Sequence, residues 1–119
     1  MLLALITGAN SGVGLALAER LLSENLTPNG DHLLSLCLGC RSIERAGHAR
    51  EQILSKYPKA LIELLLIDIS SVASVEAASR EVLERFPRLD MLFLNAGIMP
   101  AIGVNWTAVF KPSLKHFLR

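Results

Sequence analysis

The chain has 119 residues, 51% of them hydrophobic, with 12 Lys and Arg against 11 Asp and Glu. This is the composition of one core-forming domain rather than a disordered chain. A net charge of +1 without a basic stripe gives little attraction for a phosphate backbone, so nucleic acid is not an expected partner. Two cysteines are too few for the disulfide framework of a small secreted fold. The longest apolar run, residues 61–67 broken by Glu63, falls far short of the roughly 18 residues that span a bilayer, and residues 1–6 lack the basic leader of a signal peptide.

Residues 2–6 form a short continuous apolar run ending at Thr7-Gly8, the pattern of a strand buried on both faces. A glycine-rich turn follows. Helical spacing of Val13, Ala16, Leu17, Leu21 and Leu22 then predicts a first helix over residues 13–24. Residues 25–31, with Pro28, Asn29 and Gly30, have the composition of a turn. The unit repeats: a strand is predicted over 33–40 and a helix over 43–57 through Ile43, Ala46, Ala49, Ile53 and Leu54, stopped by Pro58. A third apolar run covers 61–67. Helical spacing returns over 71–86 with Val75, Ala78, Val82 and Phe86 on one face, Ser71 placed to cap the start and Pro87 to end it. Residues 91–94 give a fourth run before Asn95-Ala96-Gly97. Strands alternating with helices of this length mean βαβ units, right-handed crossovers and a parallel sheet. The expected fold is α/β, a Rossmann-type doubly wound sheet left incomplete at four strands and three helices, in the order 3-2-1-4 with the fourth strand on an edge. The whole chain, 1–119, reads as part of one such domain, with 1–97 well defined and 98–119 a poorly defined extension.

The segment Thr7-Gly8-Ala9-Asn10-Ser11-Gly12-Val13-Gly14 lies where the first strand hands over to the first helix. Glycines there allow a tight turn, close approach of backbone to a pyrophosphate and close helix–strand packing, while N–H groups and the helix dipole favour an anion. A plain turn is the alternative. At the end of the second strand stands Arg41 rather than an acidic residue, which favours a 2′-phosphate and hence NADP over NAD; a solvated surface arginine is the competing reading. Asp68-Ile69 and Asn95-Ala96-Gly97 end the third and fourth strands on the carboxyl edge, where open α/β sheets bind ligands. They fit an adenine contact and a backbone-bracing turn, although Asp68 alone reads equally as a helix cap and Asn95 as a turn residue.

On these residues the chain resembles the short-chain dehydrogenase/reductase family, through Thr7, Gly8, Gly12 and Gly14, Asp68 and Asn95-Ala96-Gly97. Residues 5–8, 15–17, 36–38 with Cys40-Arg41, Phe86 with 88–90, and 94–100 are similar to its ketosteroid-reducing members. The resemblance implies an NADP(H)-dependent oxidoreductase of steroid biosynthesis, acting on sterol 3-ketones and on a 17-ketosteroid. It further implies a location on the cytoplasmic face of the endoplasmic reticulum membrane, with membrane association only through regions outside these residues, and a homo-oligomer as one assembly. In the family a Tyr acts as general acid, with a Lys four positions later and a Ser orienting the carbonyl. The single tyrosine, Tyr57, is followed four positions later by Leu61, so it does not match. The catalytic Ser, Tyr and Lys are expected beyond Arg119, and the 119-residue chain alone is expected to be inactive. A truncated isoform that binds nucleotide or forms a dimer without turnover is the alternative.

Cys37-Leu38-Gly39-Cys40 matches a C-x-x-C string, but residues three apart on a strand face opposite sides, so buried structural thiols are expected and no metal site. His32, His48 and His116 have no paired ligand spacing and read as surface or loop residues. The acceptor patterns at Asn25 and Asn105 read as chance without a signal peptide. Trp106, Phe110, Phe117 and Leu118 read as packing or chain-end residues ahead of a steroid- or membrane-facing patch.

Overall fold

Apolar strands joined by helical crossovers pair in parallel, and the chain does so in the predicted order. A computed structural model describes residues 1–10 and 12–95. Among them the elements are β1 (Leu2–Thr7), α1 (Gly12–Glu24), β2 (Leu34–Cys40), α2 (Ile43–Lys56), β3 (Ile62–Leu66), α3 (Val72–Arg85) and β4 (Met91–Phe93). They form one parallel sheet in the order β3-β2-β1-β4. The extension over 98–119 lies outside the described residues.

The strand order decides which face each helix covers. From β1 the chain steps outward to β2 and β3, then jumps back across β1 to β4. Right-handed crossovers on the outward path and on the return path place helices on opposite faces. Accordingly Ala4, Ile6, Leu34, Leu36 and Leu38 pack with Ala18 and Leu22 of α1 and Ala46, Ala49 and Ile53 of α2. Leu3, Leu5, Cys37 and Leu65 instead meet Ala78, Val82 and Phe86 from α3 and its end. The two cysteines fall in different clusters, as strand geometry requires, and both are free thiols. Burial pushes the Cys37 thiol up to about 12.

The helix boundaries follow local chemistry. Ser42 accepts from the Arg45 N–H to open α2, and Ser71 accepts from the Ser74 N–H to open α3. Lys56 and Arg85 lie in the last turns, where a cation favours the helix dipole. The loop between α1 and β2 closes on itself: the Thr27 N–H donates to the Asp31 carbonyl at 2.8 Å, Gly30 adopts φ 84°, and Leu26 bridges His32. The Asn25 side-chain amide is drawn into this closure, donating to the Leu21 carbonyl at 2.8 Å.

Periodicity misplaces several side chains. Val13 is 74% exposed, Ala16 is exposed, and Ile43 stands 48% exposed. Both Val13 and Ile43 occupy first turns, which overhang the sheet edge. The buried stripe of α1 is Gly14, Ala18 and Leu22, a row of mostly small residues that lets the helix lie close to the strands. The third apolar run is also only partly buried: Glu63 is exposed and pairs with Arg85 at 2.8 Å. Arg85 further bonds Glu81 and donates to the Leu64 carbonyl at 2.8 Å, covering part of the outer edge of β3.

Sheet closure rests on Asp90. The Leu3 N–H donates to Asp90 Oδ2 at 2.8 Å and the Asp90 N–H donates back to the Leu3 carbonyl at 3.0 Å. Asp90→Ala leaves the buried Leu3 N–H without its acceptor and is expected to cost about 1–3 kcal/mol. Asp90→Asn keeps an acceptor and should cost distinctly less. Urea unfolding of both variants checks this, and equal losses would exclude the hydrogen bond as the cause.

Candidate functional site

Every strand ends on the same edge of the sheet, and β1 and β4 flank the point where the strand order reverses. Open α/β sheets bind ligands in the crevice at such a reversal. The residues at this point are Thr7 and Gly8 from β1 and Asn95 after β4.

Three contacts draw them together. The Gly8 N–H donates to the Gly39 carbonyl at 2.8 Å, tying the turn to β2. The Asn95 side-chain amide donates to the Gly8 carbonyl at 3.3 Å, tying it to β4. The Thr7 hydroxyl donates to the Phe93 carbonyl at 3.4 Å. Against the same carbonyl lies Gly14: a Cβ there would run into Gly8 O and stand 2.7 Å from the Asn95 amide nitrogen. Only glycine lets α1 approach so closely.

Gly8 and Gly12 take φ of 65° and 58°, the left-handed region that side chains disfavour. The space around Gly12 is open, with nothing within 4 Å of a Cβ built on it. Gly12 also begins α1, whose first turn holds no acidic residue. An open, glycine-lined N-terminus of a 13-residue helix suits a dinucleotide pyrophosphate by shape and charge. Val13 is exposed in the first turn, and Asn10 is half-buried behind the turn. Ser11, Ala96 and Gly97 lie outside the described residues.

Arg41 follows β2 directly and is exposed on the same edge. Its charge reaches Asp68, at the end of the β3 segment. The Asp68 Oδ1 accepts from the Ser70 hydroxyl at 2.6 Å and the Ser70 N–H at 3.0 Å, and the Asp68 N–H donates to the Ser74 hydroxyl at 2.8 Å. The Asp68 side chain therefore organises the turn into α3, whose cap is Ser71. Ile69 beside it is 43% exposed. The bonds from Ser70, then the Arg41 charge, hold the Asp68 carboxyl below its ordinary 3.8.

Residues 2–114 match the sequence profile of the short chain dehydrogenase family. The chain belongs to this family.

Within it, the chain is 47% identical over 106 residues to the rat 3-keto-steroid reductase/17-beta-hydroxysteroid dehydrogenase 7, a match covering 89% of this chain and 30% of the relative. It is 40% identical over 107 residues to a 3-keto-steroid reductase of Schizosaccharomyces pombe, covering 87% of this chain and 32% of that protein. The chain thus spans about a third of the length of these relatives. Among solved structures it is similar to an alcohol dehydrogenase from the archaeon Thermococcus sibiricus, complexed with 5-hydroxy-NADP. That match has a TM-score of 0.62 and 32% identity, covering 77% of this chain and 35% of the other.

For a short-chain dehydrogenase the position of Tyr57 is informative. It follows α2 at the opposite edge of the sheet from the glycine turn, edge-to-face with His32 at 6.1 Å, so it stands far from the crevice. No group of three or more His, Cys, Asp or Glu among the described residues could hold a metal ion. Two participants escaped the sequence reading. Gly39 sits inside a strand where its neighbours come close: a Cβ would stand 3.0 Å from Ile67 Cγ2 and 3.4 Å from the Ile6 carbonyl, and glycine within a strand signals such an approach. Cys40, taken as a structural thiol, lies directly behind the turn.

Two outcomes follow from this geometry. Gly14→Ala forces backbone to move and should destabilise by about 1–3 kcal/mol, whereas Gly12→Ala has room and should lose only the roughly 1–2 kcal/mol of left-handed strain. Gly12→Asn, which tolerates that conformation, should lose less still; thermal unfolding in that rank order is the check. For Asp68, a carboxyl lowered in the folded state contributes stability above the ordinary 3.8 and loses it as pH falls through the folded value. Ser70→Ala should raise the Asp68 pKa toward 3.8 in an NMR titration, and an unmoved pKa would rule out the Ser70 hydroxyl bond as its main cause.

Proposed function

We propose that this chain supplies the NADP(H)-holding half of a short-chain reductase acting on the 3-ketone of a steroid or sterol. The observation that carries the cofactor assignment is the pairing of an open glycine cradle at the start of α1 with Arg41, rather than an acid, at the end of β2. A ribose-binding carboxylate at that position would repel a 2′-phosphate, whereas a guanidinium forms charge-assisted bonds with it. The solved relative complexed with 5-hydroxy-NADP supports the same choice. The substrate class rests on the likeness to proteins named 3-keto-steroid reductase.

In this reading Gly8, Gly12, Val13 and Gly14, with Asn10, shape the pyrophosphate seat, and Thr7 and Asn95 brace it. Ser11, Ala96 and Gly97 join the cofactor-binding set through the family motif alone. Arg41 takes the 2′-phosphate, and Asp68 with Ile69 borders the adenine. When bound, NADPH supplies the hydride for the carbonyl carbon. The proton for the carbonyl oxygen needs a donor at the crevice, and Tyr57 does not stand there. The isolated 119 residues are therefore expected to bind nucleotide without reducing a ketone, a binding module within a larger catalytic unit. No helix among the described residues is long and apolar enough to cross a membrane, so the proposed place on the endoplasmic reticulum membrane draws on other parts of the whole protein.

Titration of the chain with NADPH and with NADH tests the cofactor reading. NADPH should bind at least tenfold more tightly, matching the roughly 1.5–3 kcal/mol of a hydrogen bond to a charged group. Arg41→Asp should abolish or invert that preference. Equal losses for both nucleotides would refute the role of Arg41, and ketosteroid reduction by the chain alone would refute the missing proton donor.

A further inference from the structure

Past β3 the sheet stops holding the chain. The Leu61 carbonyl and the Ile67 N–H both bond to β2, at 2.9 Å each, so the alternation of the strand turns the next N–H, that of Asp68, away from β2. On that side the described sheet ends, and no strand offers an acceptor. The acceptor comes from α3 instead: the Asp68 N–H donates to the Ser74 hydroxyl at 2.8 Å.

This bond differs from the others around Asp68. The Asp68 carbonyl accepts from the Ser71 N–H at 3.0 Å, and its carboxylate accepts from the Ser70 N–H and hydroxyl. Those partners belong to the turn and move with it. Ser74 lies within α3 and is fixed from two directions. Its N–H donates to the Ser71 hydroxyl at 3.2 Å, and Ala78, one helical turn on, is buried with Leu3, Leu5, Cys37 and Leu65. Ser74 therefore heads the stripe by which α3 packs on the sheet. In an ordinary capping box the third helical residue reaches back to the N–H of the cap. Here the Asp68 carbonyl already takes the Ser71 N–H, and the Ser74 side chain reaches past the cap to Asp68.

We infer that Ser74 is a positioning residue of the adenine border, whose hydroxyl ties the Asp68 backbone to the sheet-packed face of α3 and so fixes where Asp68 and Ile69 stand. This rests on the NADP(H) reading above, in which these two residues border the adenine. Ile69 follows Asp68 directly and is exposed for a ring to lie against, so a shift of the Asp68 backbone moves it too.

Two substitutions matched in shape form the test: Ser74→Thr keeps a hydroxyl and Ser74→Val does not, with Ser79→Ala, exposed on the same helix, as control. One readout is amide hydrogen exchange of Asp68 without nucleotide; the other is calorimetric affinity for NADPH and for adenosine 2′,5′-bisphosphate. In Ser74→Val, exchange at Asp68 should rise about tenfold or more. Both ligands should bind about fivefold more weakly, by the same factor, since the adenine is common to both. Inorganic pyrophosphate, followed through the Gly12 and Gly14 amide shifts, should stay within about twofold of the unmodified chain, a distinction that general loosening of the fold would erase. Ser74→Thr should recover most of the loss, and Ser79→Ala should change neither readout. Where valine at position 74 prevents folding, Ser74→Ala carries the same expectation. Unchanged exchange and affinity in Ser74→Val, equal losses in Ser74→Thr, or an equal loss for pyrophosphate would overturn the inference. Failure of the unmodified chain to bind NADPH would overturn the cofactor reading instead, and the exchange comparison would still decide whether Ser74 holds Asp68.

Discussion

At the end of β1, Gly14 of α1 lies against the Gly8 carbonyl with no room for a side chain. Much else depends on it. With α1 this near the sheet, Ala18 and Leu22 reach the strands and the helix start is carried over the sheet edge, where Gly12 faces open space. The Gly8 carbonyl would be crowded and poorly satisfied there without the Asn95 amide, which arrives from β4 on the far side of the strand-order reversal. One carbonyl oxygen thus fixes the relation of the first strand, the first helix and the last described strand.

The same approach explains where reasoning from residues succeeds and where it stops. Strand runs, proline stops and serine caps are local signals, and the order 3-2-1-4 is the one the Rossmann pattern leads one to expect, so the architecture is legible in the sequence. Which helical face is buried is less so. A periodicity search weights Val13 and Ile43 for their size, but both stand in first turns beyond the sheet, while the burial of α1 is set by Gly14 and Ala18, which such a search undervalues. Asp68 shows a related limit. Its position at a strand end is readable, whereas its bonds to Ser70 depend on a turn geometry that residue types alone leave open. Cys40 was legible as buried and as facing away from Cys37, yet its neighbour across the chain, the turn at residues 8–10, becomes visible only once the strand and turn are stacked.

The two sides of the sheet are finished differently. On the outer side, Arg85 reaches over from α3 to the Leu64 carbonyl and anchors itself on Glu63 and Glu81, so one backbone acceptor of β3 is already occupied. Such a covered edge resists pairing with another strand. On the side of β4, Leu92 is 52% and Leu94 77% exposed. Among the described residues the two edges thus differ: that of β3 is covered by a charged side chain, and the β4 side carries exposed leucines.

The reciprocal bond between Leu3 and Asp90 joins residues 87 apart in sequence. During synthesis β1 leaves the ribosome before the other described strands, yet it is an inner strand and waits for β4 to complete its pairing. Until then its Leu3 amide has no permanent acceptor and the Gly8 carbonyl no amide from Asn95. Contacts of such separation are the entropically costly ones to close. An inner strand made early is thus completed only when the last described strand arrives.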